Sequence, residues 1–152
     1  MTKSLLIVYH SLSGASAKLA GEARDGAARE PGISTRLARA EDTGVVQLSA
    51  ASGMLLVCAE NSGALSGGCK DFLDRIFYPA IERGLVRPYC LAISAGNDGR
   101  GAVAQAERIL RGIPFTPAAE ALILRGEPNE RSMERVAELG QAFAAGLEMG
   151  IY

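Results

Sequence analysis

Three separated apolar runs constrain this chain more than any other feature. They are Leu5-Leu6-Ile7-Val8, Met54-Leu55-Leu56-Val57-Cys58-Ala59 and the segment Pro88 to Ser94, "PYCLAIS". Successive side chains of a strand point to opposite faces, so a run with no polar alternation needs apolar cover on both sides. Each run leads into a loop of small residues and then into a stretch with helical spacing. That alternation predicts an α/β chain, a parallel sheet with helices packed on both faces and right-handed crossovers.

The remaining elements fall between these runs. Ser16 to Arg29 reads as a helix with Leu19, Ala20, Ala23 and Ala27 on one face, stopped by Pro31-Gly32. Ile33 to Ala38 reads as a weaker strand nearer an edge, and Thr43 to Ser52 as a short helix. Phe72, Leu73, Ile76, Phe77 and Ala80 give Lys70 to Arg83 a helical stripe. Val103 to Arg111 is a further helix, Ala118 to Leu124 a fifth strand, and Arg131 to Met149 the closing helix. The reading is one domain over residues 1–152, with five parallel strands.

Charge narrows the partners. With 16 Lys and Arg against 17 Asp and Glu, the net charge is −1. A nucleic-acid or anionic-membrane partner needs a basic face, which this balance does not offer. No apolar stretch approaches the roughly 20 residues of a membrane span. Cys58, Cys69 and Cys90 form no C-x-x-C pair. They are expected to be free thiols in a reducing compartment, and Cys58 and Cys90 to be buried in strands. The first apolar run is short for a secretory core. The expectation is a soluble, cytoplasmic protein. No His, Cys, Asp and Glu cluster has metal-ligand spacing, and no G-x-S-x-G elbow is present.

The chemistry is expected in the loops. In open α/β sheets, ligands bind beyond the carboxyl ends of the strands. The first such loop, "HSLSGAS", joins the first strand to the first helix. Small residues let the backbone approach a ligand, and a helix N-terminus attracts anions. Ser11, Ser13 and Ser16 add hydroxyls without charge, which suits a phosphate monoester that is held but not attacked. The loop is neither a nucleotide-triphosphatase loop nor a G-x-G-x-x-G turn. Ser13 has a second reading as a plain helix cap. His10, the single histidine, ends the strand beside this loop, where it can donate to the phosphate or do no more than close the strand.

"SLSGAS" resembles the S/T-x-S/T-G-x-S/T phosphate loop of flavodoxins, with Ser11, Ser13, Gly14 and Ser16 on the defining positions and Leu12 and Ala15 on the variable ones. "AENSGALSGGCKDFLDR", Ala59 to Arg75, is similar to the second loop and helix of the NAD(P)H-dependent FMN reductase and quinone reductase branch of that superfamily. Glu60, Gly63, Lys70 and Asp74 keep its register. Ala59 stands where that branch has a proline, and Asn61-Ser62 where it has Tyr-Asn. On their own, Lys70, Asp74 and Arg75 read as a solvated helix face with local ion pairs. The third loop, Ser94-Ala95-Gly96-Asn97-Asp98-Gly99, resembles the loop that runs along the flavin's pyrimidine edge, although Asn97-Asp98-Gly99 is also an ordinary turn.

The resemblance implies a flavodoxin-like three-layer α/β/α sandwich with strand order 2-1-3-4-5. It implies FMN as cofactor, held by residues 11–16, Glu60, Asn61, Ser62, Gly63 and the third loop. It also implies NAD(P)H as hydride donor and a quinone, free flavin or other small molecule as acceptor. The chemistry would then belong to FMN, with no catalytic side chain. A flavodoxin-type carrier for a redox protein is the first alternative, and a degenerate domain with weak flavin binding the second. Near-neutral charge and loops without aromatic residues favour the reductase, whose flavin face must admit nicotinamide. Many relatives are homodimers, but no self-complementary patch marks this sequence as one.

Overall fold

The computed structural model describes residues 2–152. The three apolar runs form β1 (Ser4–Tyr9), β3 (Gly53–Asn61) and β5 (Pro88–Ala95). With β2 (Ser34–Arg39) they make the parallel centre of the sheet, in the order β2-β1-β3-β5. Leu5 lies beside Gly53 and Tyr9 beside Val57, while Cys58 lies beside Ile93. All the carboxyl ends therefore open on one edge of the molecule.

Both faces of these strands are buried, as their composition requires. Leu6, Val8, Met54, Leu56, Leu91 and Ile93 face one core. It is covered by α2 (Val45–Ala50), α3 (Gly67–Glu82) and α4 (Arg100–Gly112). Leu5, Ile7, Leu55, Val57, Cys90 and Ala92 face the other, under α1 (Ala15–Ala27) and α5 (Glu130–Met149). Those two helices approach closely because Gly26 and Gly140 carry no Cβ: one at either position would collide with the backbone of Ala137 or Ala23. Among the described residues, no helix is long and apolar enough to cross a membrane.

The structure corrects the sequence reading in three places. The fifth strand is not continuous over 118–124. It consists of β6 (Thr116–Pro117), paired with the start of β5, and β7 (Leu122–Arg125), paired with its end. This is the sheet's edge: Pro117 has no N–H to donate, the Ala118 N–H still donates to the Tyr89 carbonyl at 2.8 Å, and Ala119 and Glu120 then lie in solvent, so the strand breaks before β7. The five-lane order expected from sequence otherwise stands, with two short segments sharing the last lane.

The second loop is a hairpin. β3 turns through Ser62 (φ 51°) and Gly63 (φ 78°) into β4 (Ala64–Leu65), which pairs back antiparallel. Two consecutive positive φ values are the signature of a tight two-residue hairpin turn.

The cysteines are the third correction. Cys58 and Cys69 form a disulfide, with their Cα atoms 6.3 Å apart, and only Cys90 is a free thiol. The pairing joins the end of β3 to the first turn of α3. With two thiols joined, cysteine usage no longer points to a reducing compartment.

Candidate functional site

The first loop is shaped by its own short bonds. Ser11 Oγ accepts from the Gly14 N–H at 3.0 Å, and Ser13 Oγ accepts from the Ala15 N–H at 3.5 Å. Gly14 is the residue before α1, and its φ of 100° is open to glycine at no steric cost. Gly14 has no side chain to cap the helix, so beyond the long Ser13 contact to Ala15 the N–H groups of Ser16 and Ala17 are left without an intrahelical carbonyl. Ser13 therefore shapes the turn, but it leaves most of the helix end free for an anion.

Two adjoining cavities lie at this edge. The smaller, about 80 Å³, is lined by His10, Ser11, Leu12, Ser13, Ala15, Ser16, Ala59, Asn61, Ser66 and Ser94. The larger, about 370 Å³, is lined by Ser13, Ala15, Ala59, Glu60, Asn61, Ser94, Ala95, Gly96, Gly126, Glu127 and Pro128. They share Ser13, Ala15, Ala59, Asn61 and Ser94 as a common wall, and together they make the cleft at this edge. Neither wall contains a Phe, Tyr or Trp.

The polar groups of the smaller cavity are unusual. Ser16 is 1% exposed and Ser66 is fully buried, yet neither hydroxyl has a hydrogen-bond partner, and buried His10 Nδ1 has none either. Buried polar atoms are nearly always paired, because an unmade bond in a dry site costs about 1–3 kcal/mol. All three groups belong to residues that line the one small cavity, and unused polar groups there fit a bound anion.

The second and third loops are fastened to each other. Glu60 Oε2 accepts from the Gly99 N–H at 2.6 Å. Leu65 N–H donates to Gln105 Oε1 at 2.9 Å, which holds the hairpin against α4. A Cβ on Gly99 would lie 2.7 Å from Ile123 Cγ2, so β7 and this turn also press together. Asp98 accepts from Arg100 Nε at 2.6 Å and lies 3.6 Å from Arg125. The Arg100 bond, with the two guanidinium charges, holds the Asp98 carboxyl below its ordinary range.

The expected site residues divide accordingly. Ser11, Leu12, Ser13, Ala15, Ser16, Glu60, Asn61, Ser94, Ala95 and Gly96 meet at the cleft. Gly14, Ser62, Gly63, Asn97, Asp98 and Gly99 do not line it: Gly14 and Gly99 precede helices, Ser62 and Gly63 form the hairpin turn, and Asp98 serves its arginines. Lys70 and Asp74 form the expected local ion pair at 2.7 Å. Arg75 does more, donating to the Ala40 and Thr43 carbonyls at 2.7 Å each.

Sequence reasoning missed the fourth wall of the cleft, Gly126-Glu127-Pro128. Its Gly126 N–H donates to the Ala95 carbonyl at 2.9 Å. The available signal was a Gly-Glu-Pro turn at the carboxyl end of a strand, directly before the capping residue Asn129. Ser66 was also missed, although it lies in the expected strand-to-helix loop, Asn61 to Gly68.

No protein-family model matches this chain, and no curated protein matches its sequence. Solved structures do match. An archaeal flavodoxin superposes with a TM-score of 0.84 at 16% identity, covering 95% of this chain and 99% of that one. Megasphaera elsdenii flavodoxin gives 0.77 at 22% identity, with 93% and 98% covered. A flavodoxin, WrbA-like protein from Agrobacterium tumefaciens gives 0.80 at 16% identity, with 97% and 98% covered. The fold is flavodoxin-like.

Proposed function

We propose that this chain is an FMN-binding oxidoreductase that passes hydride from NAD(P)H through FMN to a quinone, free flavin or other small acceptor. The observation that carries the reading is the orphaned Ser16 hydroxyl in the first turn of α1, on the wall of a phosphate-sized cavity that adjoins a larger one.

The residues present fit the cofactor. Ser11, Ser13 and Ser16, with the first-turn amides of α1, would hold the phosphate. The cleft between Glu60, Asn61, Ser94, Ala95, Gly96 and Gly126 would hold the remainder of the molecule. When bound, FMN supplies the two-electron chemistry, and the protein supplies position and electrostatics. Glu60 holds the third loop in place through Gly99. Gly96 has open space where a Cβ would stand, so its backbone can lie close to a ligand.

The absence of aromatic side chains from both cavity walls favours a reductase over a carrier. A hydride donor must stack against the flavin, and no ring here occupies that position. The carrier reading has one observation of its own: Leu12 is 81% exposed at the rim of the cleft, where a protein partner could touch it.

The reading is tested by titrating the protein with FMN, then adding NADPH or NADH without oxygen. Saturable perturbation of the flavin bands, followed by bleaching with a pyridine nucleotide, is expected. Saturable binding with no bleaching would favour the carrier. No perturbation would overturn both.

A further inference from the structure

The smaller cavity is built from more than the phosphate loop. It is also lined by Ser66, which immediately precedes α3, and by His10, which follows β1. Serine before a helix ordinarily accepts from an amide of the first turn. Ser66 does not: its hydroxyl makes no cap bond and is buried without any partner. Its backbone is otherwise engaged, with the N–H donating to the Ala59 carbonyl at 2.9 Å and the carbonyl accepting from Lys70 at 3.0 Å. The residue is thus fixed in place with one polar group unused.

His10 repeats the pattern. Its Nδ1 is buried and unpaired. Its ring lies where a side chain on Gly68 would have to be, since a Cβ there would collide with the imidazole. The space for His10 therefore exists because α3 carries glycine in its first turn. No carboxylate lines this cavity, and His10 is the one ionisable side chain on its wall.

We infer that His10 and Ser66 are phosphate ligands, so that a phosphate monoester here is held by two segments: by the α1 loop through Ser16, and by the start of α3 through Ser66, with the His10 ring packed against Gly68 beside it. The inference rests on the FMN reading for the identity of the whole ligand, but not for the anion itself. It makes this subsite a selector of phosphorylated over unphosphorylated ligand that extends beyond the six-residue loop. An anion bound there would also couple the position of α3 to that of α1.

The test uses the flavin-free protein and inorganic phosphate, followed by calorimetry or phosphorus NMR, with separate titrations of FMN and riboflavin. His10→Phe and Ser66→Ala are each expected to weaken phosphate and FMN about tenfold, the effect of losing one hydrogen bond to a charged group. Riboflavin affinity should not change. His10→Asn, which keeps a donor near the Nδ1 position, should retain most of the affinity. Gly68→Ala should weaken phosphate by displacing the ring. Thermal melting of each variant separates loss of ligand from loss of fold. Equal phosphate affinity in the parent, His10→Phe and Ser66→Ala would overturn the inference while leaving the flavin reading intact, as would a parent that binds FMN but no phosphate. A parent that binds phosphate with this dependence, yet perturbs no flavin, would uphold the inference and overturn the flavin reading.

Discussion

The Glu60 carboxylate accepts a 2.6 Å hydrogen bond from the Gly99 N–H, joining the end of β3 to the turn that opens α4. Two of the cleft's loops are thereby held by one charge-assisted bond, of a kind worth about 1.5–3 kcal/mol. Glu60→Ala is expected to lower the unfolding free energy by about that amount. It should also raise amide exchange at Gly99, read by NMR. Glu60→Gln keeps an acceptor and should lose less. Unchanged exchange at Gly99 in Glu60→Ala would show that the bond does not hold the loop.

Ser16 should give effects of opposite sign on stability and on binding. Its hydroxyl is buried and unpaired without ligand. Ser16→Ala should therefore leave the flavin-free protein as stable as the parent or up to about 1 kcal/mol more stable in urea. The same change should weaken FMN about tenfold and leave riboflavin affinity alone. A variant that loses stability and keeps its FMN affinity would assign Ser16 to the core.

The disulfide predicts a thiol count. Without reductant, the native protein should show no reactive thiol, because Cys90 is buried. Denatured, it should show one, and denatured with reductant removed after use, three. Closing a loop with sequence separation 11 restricts the unfolded chain, so Cys58→Ala with Cys69→Ala should cost on the order of 2–3 kcal/mol. Three thiols in the denatured, unreduced protein would contradict the pairing.

Alkaline pH should destabilise the fold through Cys90. Burial pushes this thiol from 9.0 up to about 12. A folded-state value above the unfolded one means the stabilisation is complete below pH 9 and is lost as pH rises toward 12. Burial also raises the Tyr89 hydroxyl, which adds in the same direction. Urea midpoints measured across this window should fall, and Cys90→Ala should flatten the fall. At the acid end, Asp98 is held low by Arg100 and Arg125, so its contribution is present above the ordinary aspartate range and is lost as pH drops through its lowered value.

The central strands were legible because β1, β3 and β5 are apolar on both faces, which suits a covered parallel strand, and each is followed by a loop and a stretch with helical spacing. The first loop stood out in the sequence because three serines surround one glycine at a strand-to-helix turn, and the structure puts Ser11, Ser13 and Ser16 on one cavity wall. What escaped depends on relations that spacing does not carry. The hairpin at Ser62-Gly63 needed two positive φ values, one of them at a non-glycine residue. The Cys58–Cys69 pair arises from a strand end meeting a helix start, with no short motif to announce it. The last strand reads as continuous until its exposed middle leaves the edge. Ser66 is one small residue of a Gly/Ser loop in the sequence, and only the structure shows its hydroxyl buried and unused.

The central claim, that the cleft beyond β1, β3 and β5 is an FMN site anchored on its phosphate, is tested most directly by an absorbance titration with FMN beside one with riboflavin. The account predicts saturable perturbation of the flavin bands by FMN, and affinity for riboflavin weaker by tenfold or more, since riboflavin leaves the phosphate subsite empty. Equal affinity for the two ligands, or no perturbation by either, would contradict it.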